Sequence, residues 1–216
     1  NCGAIRQNYL YCRIKETIIK QQWLFVVALI CTFSASAQMV TGENVAVTQT
    51  ESGKVRGYVH NSVYTYKGIP YAEAKRFESP QKPKPWNGVR SSLTNENCMV
   101  LNVWTPGIND GKKRPVLFWI HGGGFTAGSS QELPSYDGEN LAKRGDVVVV
   151  SINHRLNILG YLDLSAYGDK YKQSANLSII DMVAALQWVK DKIANFGGDA
   201  GNVTIFGQSG GGAKVN

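Results

Sequence analysis

An α/β fold, with a mostly parallel central sheet and flanking helices, is predicted by three features of this 216-residue sequence. Residues 116–120 and 147–152 are continuous apolar runs, the texture of strands buried on both faces. An amphipathic segment comes after Asn176, and after it comes a third apolar run at 203–206. Strand, helix, strand in that order implies right-handed crossovers between parallel neighbours.

The first 37 residues stand apart from that fold. Their basic residues end at Lys20, a short apolar run extends from Trp23 to Phe33, and Ala35-Ser36-Ala37 has the small-x-small pattern of a cleavage site. This is the grammar of an export signal cut after Ala37, leaving Gln38 as the new terminus and a secreted or periplasmic product. The run falls short of the about 20 apolar residues that span a bilayer, so no stable membrane span is expected once the signal is removed. The first methionine is Met39, so residues 1 to about 13 read as upstream sequence that was translated. The expected organisation is therefore a signal segment, 1–37, and one catalytic-domain portion, 38–216.

In chain order, residues 45–48 and 53–59 read as short strands broken at Glu51-Ser52-Gly53, and Tyr64 and Tyr66 alternate in a third. Pro70, Pro80, Pro83 and Pro85 make 68–90 an irregular surface excursion. Residues 100–104 alternate as in a half-buried strand, and 139–144 form a short helix. In the main helix, Ile179, Met182, Val183, Leu186, Val189 and Ile193 fall at three- and four-residue steps. Ser178 with Asp181 resembles a capping box, and Gly197-Gly198 supplies the stop.

Charge excludes one function class. The net charge is +7, but removing residues 1–37 leaves nineteen basic and fifteen acidic residues scattered along the chain. The densest cluster, Lys112-Lys113-Arg114, lies between Gly111 and Pro115 and reads as a solvated turn rather than a nucleic-acid stripe. Cys2, Cys12 and Cys31 precede the cleavage site, which leaves Cys98 without an internal partner, and no spacing suggests a metal site.

Two glycine-rich motifs carry chemistry. Gly207-Gln208-Ser209-Gly210-Gly211 fits G-x-S-x-G, with an apolar strand before it and a small-residue helix start after it. In such an elbow the serine takes a strained conformation, its neighbours two positions away must be very small, and the hydroxyl rises above the sheet. His121-Gly122-Gly123-Gly124-Phe125 comes directly after the strand ending at Ile120. Consecutive glycines let backbone N–H groups face a cavity, where each donor to a developing oxyanion is worth about 3–4 kcal/mol. A phosphate cradle is disfavoured, because there is neither a Walker lysine nor G-x-G-x-x-G spacing.

With these motifs, the chain resembles the type B carboxylesterases, α/β-hydrolases that include bacterial para-nitrobenzyl esterases and cholinesterases. Further matching stretches are Gly68-Ile-Pro-Tyr-Ala72, Arg76-Phe77, Glu96 through Trp104, Val150 through Leu156, and Phe196 through Gly211. The resemblance implies that Ser209 is an acyl-forming nucleophile. It also implies an oxyanion hole from the N–H groups of Gly123, Gly124 and Gly210, a small-molecule ester substrate, and no metal or organic cofactor. Position 210 is commonly alanine in that family.

The family order Ser…acid…His further implies that the triad acid and histidine lie beyond Asn216, so that residues 1–216 alone are inactive. His60, His121 and His154 all precede the serine and are poor candidates for the base. Asp181 and Asp199 read as cap and turn residues. Arg76 and Glu96 resemble a family salt bridge. The segment between Trp86-Asn-Gly-Val-Arg90 and Asn95-Glu-Asn-Cys98 is shorter than the family's, which removes the usual partner of Cys98, and Asn97 replaces an aspartate. Rival expectations are a non-catalytic binding or adhesion protein on the same fold, and amide or thioester cleavage at the same serine.

Overall fold

Nine short strands and four α-helices among the described residues build the protein around one long helix and one twisted sheet. The computed structural model describes residues 38–92 and 98–216, and Met39–Asn216 form one unit. The expected export signal, Glu96 and Asn97 lie outside the described residues.

A small sheet joins β1 (Val47–Gln49), β2 (Lys54–Arg56) and β5 (Val89–Ser91), with β1 and β2 antiparallel as expected for the N-terminal strands. The large sheet has six strands. These are β3 (Tyr58–His60), β4 (Val63–Pro70), β6 (Val100–Thr105), β7 (Arg114–Ile120), β8 (Val148–Ile152) and β9 (Gly198–Gly207). Their order across the sheet is β3-β4-β6-β8-β7-β9. From β3 to β8 the neighbours run antiparallel, whereas β8, β7 and β9 are parallel. The parallel arrangement expected from the apolar runs is therefore confined to the half that carries the motifs.

Helices cover both faces of the large sheet. On one face, α1 (Glu139–Gly145) sets Ala142 against Val63, Trp104 and Val149. On the other, α3 (Leu177–Lys192) packs Met182, Ala185, Trp188 and Val189 into a core with Leu101, Val103, Val116, Phe118, Val148 and Val150. A short helix, α2 (Asn157–Tyr161), lies against the start of α3. Being covered twice explains why all six residues of β6 are buried, where alternation predicts a half-buried strand. The one polar side chain among its first five residues, Asn102, is fully engaged. It accepts from Gly68 N–H at 3.0 Å and Gln131 Nε2 at 3.2 Å, and donates to Ser130 Oγ at 3.0 Å and Ser151 Oγ at 2.9 Å.

Three expectations are corrected by this packing. Among the described residues β9 has a strand neighbour on one side only, so residues 203–206 are half-buried or exposed instead of buried. On α3, Ile179 and Val183 point outwards, and the buried face runs through Leu177, Ser178, Asp181, Met182 and Ala185. Ser178 and Asp181 make no capping box. Asp181, completely buried, takes Arg155 Nη2 at 2.6 Å, Nε at 2.8 Å and the Arg155 N–H at 3.0 Å, and Ser178 Oγ takes the Tyr161 hydroxyl at 2.7 Å. Hydrophobic spacing finds Met182 and Val189 on this face but misses Ser178 and Asp181, two of its seven buried residues, which are polar and paired. The stop at Gly197 holds, with φ +75° after a short 3-10 turn, Ile193–Phe196.

Lys112-Lys113-Arg114 is also only partly a solvated turn. Lys112 and Lys113 are exposed, but Arg114 is 4% exposed, donating to Asp110 Oδ2 at 2.5 Å, Asp146 Oδ1 at 2.7 Å and the Gly107 carbonyl at 3.3 Å. It pins the start of β7 to the two loops beside it. Among the described residues no helix is long and apolar enough to cross a membrane.

Candidate active site

The two glycine motifs meet because of strand order. β7 leads through α1 to β8 on one side, and β8 leads through α3 to β9 on the other, so β7 stands where the chain changes direction. Open α/β sheets bind ligands outside the carboxyl ends of the strands at such a switch point. The parallel register pairs Ile120 with Gly207, the last residues of β7 and β9. The segments leaving the two strands are thereby placed side by side: His121 to Phe125 after β7, Gln208 to Gly210 after β9.

Ser209 has φ 53° and ψ −120°, a conformation that costs a non-glycine residue about 1–3 kcal/mol, and it is exposed. It precedes α4 (Gly210–Val215). The chain reverses between strand and helix so tightly that its flanks have no room for side chains. A Cβ on Gly207 would stand 2.5 Å from the Gly211 carbonyl carbon, and one on Gly211 would stand 2.6 Å from the His121 oxygen and 2.8 Å from the Ile120 carbonyl carbon. The small-neighbour rule inferred from the motif thus has a direct steric cause here.

The glycine loop lies against the elbow. A Cβ on Gly210 would fall 2.5 Å from Gly124 Cα and 2.7 Å from its carbonyl carbon, so Gly210 and Gly124 touch through backbone alone. The absence of a side chain at position 210 is part of this close approach. Gln208 N–H donates to the Ile120 carbonyl at 3.4 Å, and Gly211 N–H to the Gln208 carbonyl at 2.9 Å.

The loop's carbonyls are tied back. His121 Nδ1 lies 2.8 Å from the Gly122 oxygen; a carbonyl only accepts, so Nδ1 carries the proton. The Gly123 carbonyl accepts from Ala127 N–H at 3.3 Å and Thr126 N–H at 3.4 Å. There are no cis peptides among the described residues, and across a trans peptide N–H and C=O point in opposite directions. Holding these two carbonyls therefore directs the N–H groups of Gly123 and Gly124 the other way. Gly123 and Gly124 have φ +94° and +64°, left-handed values that glycine adopts without strain.

Behind the loop, His121 and His154 stack with ring centroids 4.9 Å apart, and both are buried. Burial pushes the His154 pKa down to about 3, with the cationic forms of His121 and Lys214 adding to the effect. Burial also lowers that of His121, opposed by its bond to Gly122. Both rings are neutral near neutral pH. Neither is hydrogen-bonded to Ser209, and among the described residues His121 Nε2 and both nitrogens of His154 have no hydrogen-bond partner. His60 is remote from this chemistry in its bonding, with Nδ1 2.6 Å from Glu139 Oε2. Asp199 accepts from Gly201 N–H at 2.8 Å, a turn role as expected. Among the described residues no cluster of His, Cys, Asp or Glu is arranged to hold a metal ion.

The structure thus brings together Ser209, Gly210, Gly123 and Gly124. Arg76 is exposed, and its expected partner Glu96 lies outside the described residues. Cys98 is a free, exposed thiol. Two contributors go unnoticed in the sequence. Arg155 and Asp181 tie the loop after β8 to α3. Lys214, one turn along α4, donates from Nζ to the Gly124 carbonyl at 2.7 Å. The only signal for the second is the four-residue step from Gly210 to Lys214.

The model of the carboxylesterase family matches residues 44–95 and 90–216, two segments that meet where the sequence is shorter than expected before Cys98. The chain is 38% identical over 195 residues to the para-nitrobenzyl esterase of Bacillus subtilis, covering 78% of this chain and 39% of that protein. It is 38% identical over 242 residues to carboxylesterase 3B of Mus musculus, covering 93% and 41%. Among solved structures, an esterase from Clostridium hathewayi described as hydrolysing aliphatic aromatic polyesters superposes with a TM-score of 0.79 at 47% identity, over 83% of this chain and 41% of that one. A carboxylesterase of Geobacillus stearothermophilus gives 0.74 at 49% identity, over 79% and 40%. The chain spans about two fifths of the length of these relatives.

Proposed function

Because the chain belongs to the carboxylesterase family, we propose that its protein hydrolyses carboxylic esters of small molecules through an acyl-serine intermediate on Ser209. The carrying observation is an exposed serine held at φ 53° between glycines that admit no side chain, beside the Gly123-Gly124 backbone. A purely adhesive role on the same fold supplies no reason to maintain that strain.

Ser209 Oγ attacks the ester carbonyl carbon and gives its proton to a general base as the C–O bond forms. The carbonyl oxygen gains negative charge, and the N–H groups of Gly123, Gly124 and Gly210 donate to it. Collapse of the tetrahedral species expels the alcohol, which takes a proton. Water then attacks the acyl-serine and releases the acid. The base is assigned to neither His121, whose Nδ1 serves Gly122, nor His154, whose ring is buried; we assign it, with its acid partner, to sequence beyond Asn216. Residues 1–216 alone are accordingly expected to be inactive. No metal or organic cofactor enters the reaction, and nucleic acid has no part in it.

The test is a pre-steady-state assay on the protein expressed from its complete reading frame with a p-nitrophenyl ester. A burst of p-nitrophenol stoichiometric with enzyme, abolished in Ser209→Ala, is expected; equal turnover by the alanine variant refutes the assignment. We further propose export through residues 1–37, for which N-terminal sequencing of the secreted product is expected to begin at Gln38. Retention of residues upstream of Gln38 overturns that proposal.

A further inference from the structure

Among the described residues, the Lys214 side chain is the one polar link between the helix after the nucleophile and the glycine loop. Gly210 and Lys214 are four residues apart on α4, so they lie on the same helix face. Gly210, lacking a Cβ, lets Gly124 lie directly against the helix, and Lys214 Nζ donates to the Gly124 carbonyl at 2.7 Å. Nζ also lies 4.8 Å from the centroid of the Phe125 ring, within cation–π reach. The side chain is half-buried, and among the described residues no carboxylate is paired with it. A surface lysine keeps its ammonium in water, so one folded back onto a carbonyl and a ring is held for a reason.

The reason lies in how the loop is fastened to the helix. The carbonyls of Gly122 and Gly123 are held by His121 Nδ1 and by the N–H groups of Thr126 and Ala127, all belonging to the loop itself. The third, that of Gly124, is held from α4. Three glycines in succession have little intrinsic preference for one backbone path, and two of them sit at positive φ. The donors assigned to the oxyanion come from both elements, Gly123 and Gly124 on the loop and Gly210 on the helix, so their spacing depends on what fastens one to the other.

We propose that Lys214 is a positioning residue for the oxyanion site, clamping the Gly124 carbonyl so that the loop amides and the Gly210 amide keep one fixed separation. This rests on the assignment of Ser209 as nucleophile. The neighbouring titratable groups, His121 and His154, are buried rings whose cationic forms burial disfavours, so the ammonium is the charge closest to the loop from this side. Burial lowers the pKa of Lys214 itself, in keeping with its departure from solvent.

The test compares Lys214→Met, Lys214→Gln and Lys214→Arg with wild type and Ser209→Ala in the protein from the complete reading frame, reading kcat and KM for a p-nitrophenyl ester and the thermal midpoint. Methionine keeps the length and the packing on Phe125 but loses the donor. A fall in kcat of at least tenfold with KM within twofold is expected for it, an intermediate loss for glutamine, and rescue to within about threefold by arginine. Wild-type kcat in the methionine variant, a loss confined to KM, or an arginine variant no better than methionine overturns the proposal. Should the methionine variant fail to fold, the ranking of arginine above glutamine by several-fold carries the test, and equality of the two refutes it. Loss of the Ser209 assignment is recognised separately, by full activity in Ser209→Ala.

Discussion

Gly211 and Gly212 are adjacent, chemically identical and in the same helix, yet a single methyl group is expected to have opposite effects at the two positions. A Cβ at Gly211 would stand 2.6 Å from the His121 oxygen and 2.8 Å from the Ile120 carbonyl carbon, with the Ile120 oxygen nearer still. Ordinary carbon–oxygen contact begins at about 3.3–3.6 Å, so the start of α4 must retreat from the end of β7 by about 1 Å or more. Overpacking of this size costs about 1–3 kcal/mol of stability. The same retreat moves Ser209 relative to Gly123 and Gly124, and displacement near 1 Å at a reacting centre costs about 100-fold in rate. At Gly212 the nearest atoms to a Cβ are the Gly207 oxygen at 3.3 Å and its carbon at 3.7 Å. There alanine needs the Gly207 carbonyl to give by only a few tenths of an ångström, and where it does so the reduced freedom of the unfolded chain adds about 0.5–1 kcal/mol. Thermal midpoints and kcat/KM for a p-nitrophenyl ester, measured on Gly211→Ala and Gly212→Ala side by side, decide the matter. Gly211→Ala is expected to lose 30-fold or more (about 2 kcal/mol) in kcat/KM and to melt lower, and Gly212→Ala to keep its rate and melt at or above wild type. Indistinguishable variants would refute the steric account of the elbow.

Other perturbations act through neighbouring contacts. Asp181→Ala strands the Arg155 guanidinium, 6% exposed, without its carboxylate, and is expected to cost about 3–5 kcal/mol in urea unfolding; Arg155→Met with Asp181→Leu should recover most of that. His154, whose pKa is held down to about 3 in the fold, stays neutral while an unfolded histidine protonates below about 6.5. The unfolded state then binds the extra proton, so stability is full above pH 6.5 and declines as pH falls toward 3. His154→Phe is expected to flatten that slope in unfolding measurements between pH 6.5 and 4, and an unchanged slope would assign it to other groups.

Most of the site is legible in the sequence alone, because glycine spacing reports backbone geometry directly. Gly207, Ser209 and Gly211 announce a reversal that only small flanks allow, and the strain at Ser209 and the crowding at Gly207 and Gly211 are its physical content. Gly122 to Gly124 after an apolar strand likewise announce a backbone free to take positive φ, which Gly123 and Gly124 do. Contact across elements is what the sequence hides. Asp181 looks like a cap because Ser178 precedes it by three residues, and only tertiary packing brings Arg155 to it. The buried face of α3 is only partly located for the same reason: Met182 and Val189 are buried as expected, whereas Ser178 and Asp181, two of its seven buried residues, carry no hydrophobic signal. Arg114 reads as one more charge in a basic triplet until Asp110 and Asp146 close on it from two loops. Burial of β6 on both sides depends on α1 and α3 lying on opposite faces, which alternation in five residues does not reveal.

The most direct test is a crystal structure of the protein from its complete reading frame with a phosphonate or boronate bound covalently to Ser209. One adduct oxygen is expected within about 2.7–3.1 Å of the backbone nitrogens of Gly123, Gly124 and Gly210, with Ser209 still near φ 53°. An adduct oxygen turned to solvent, or a serine relaxed to negative φ with the loop amides elsewhere, would contradict the oxyanion assignment.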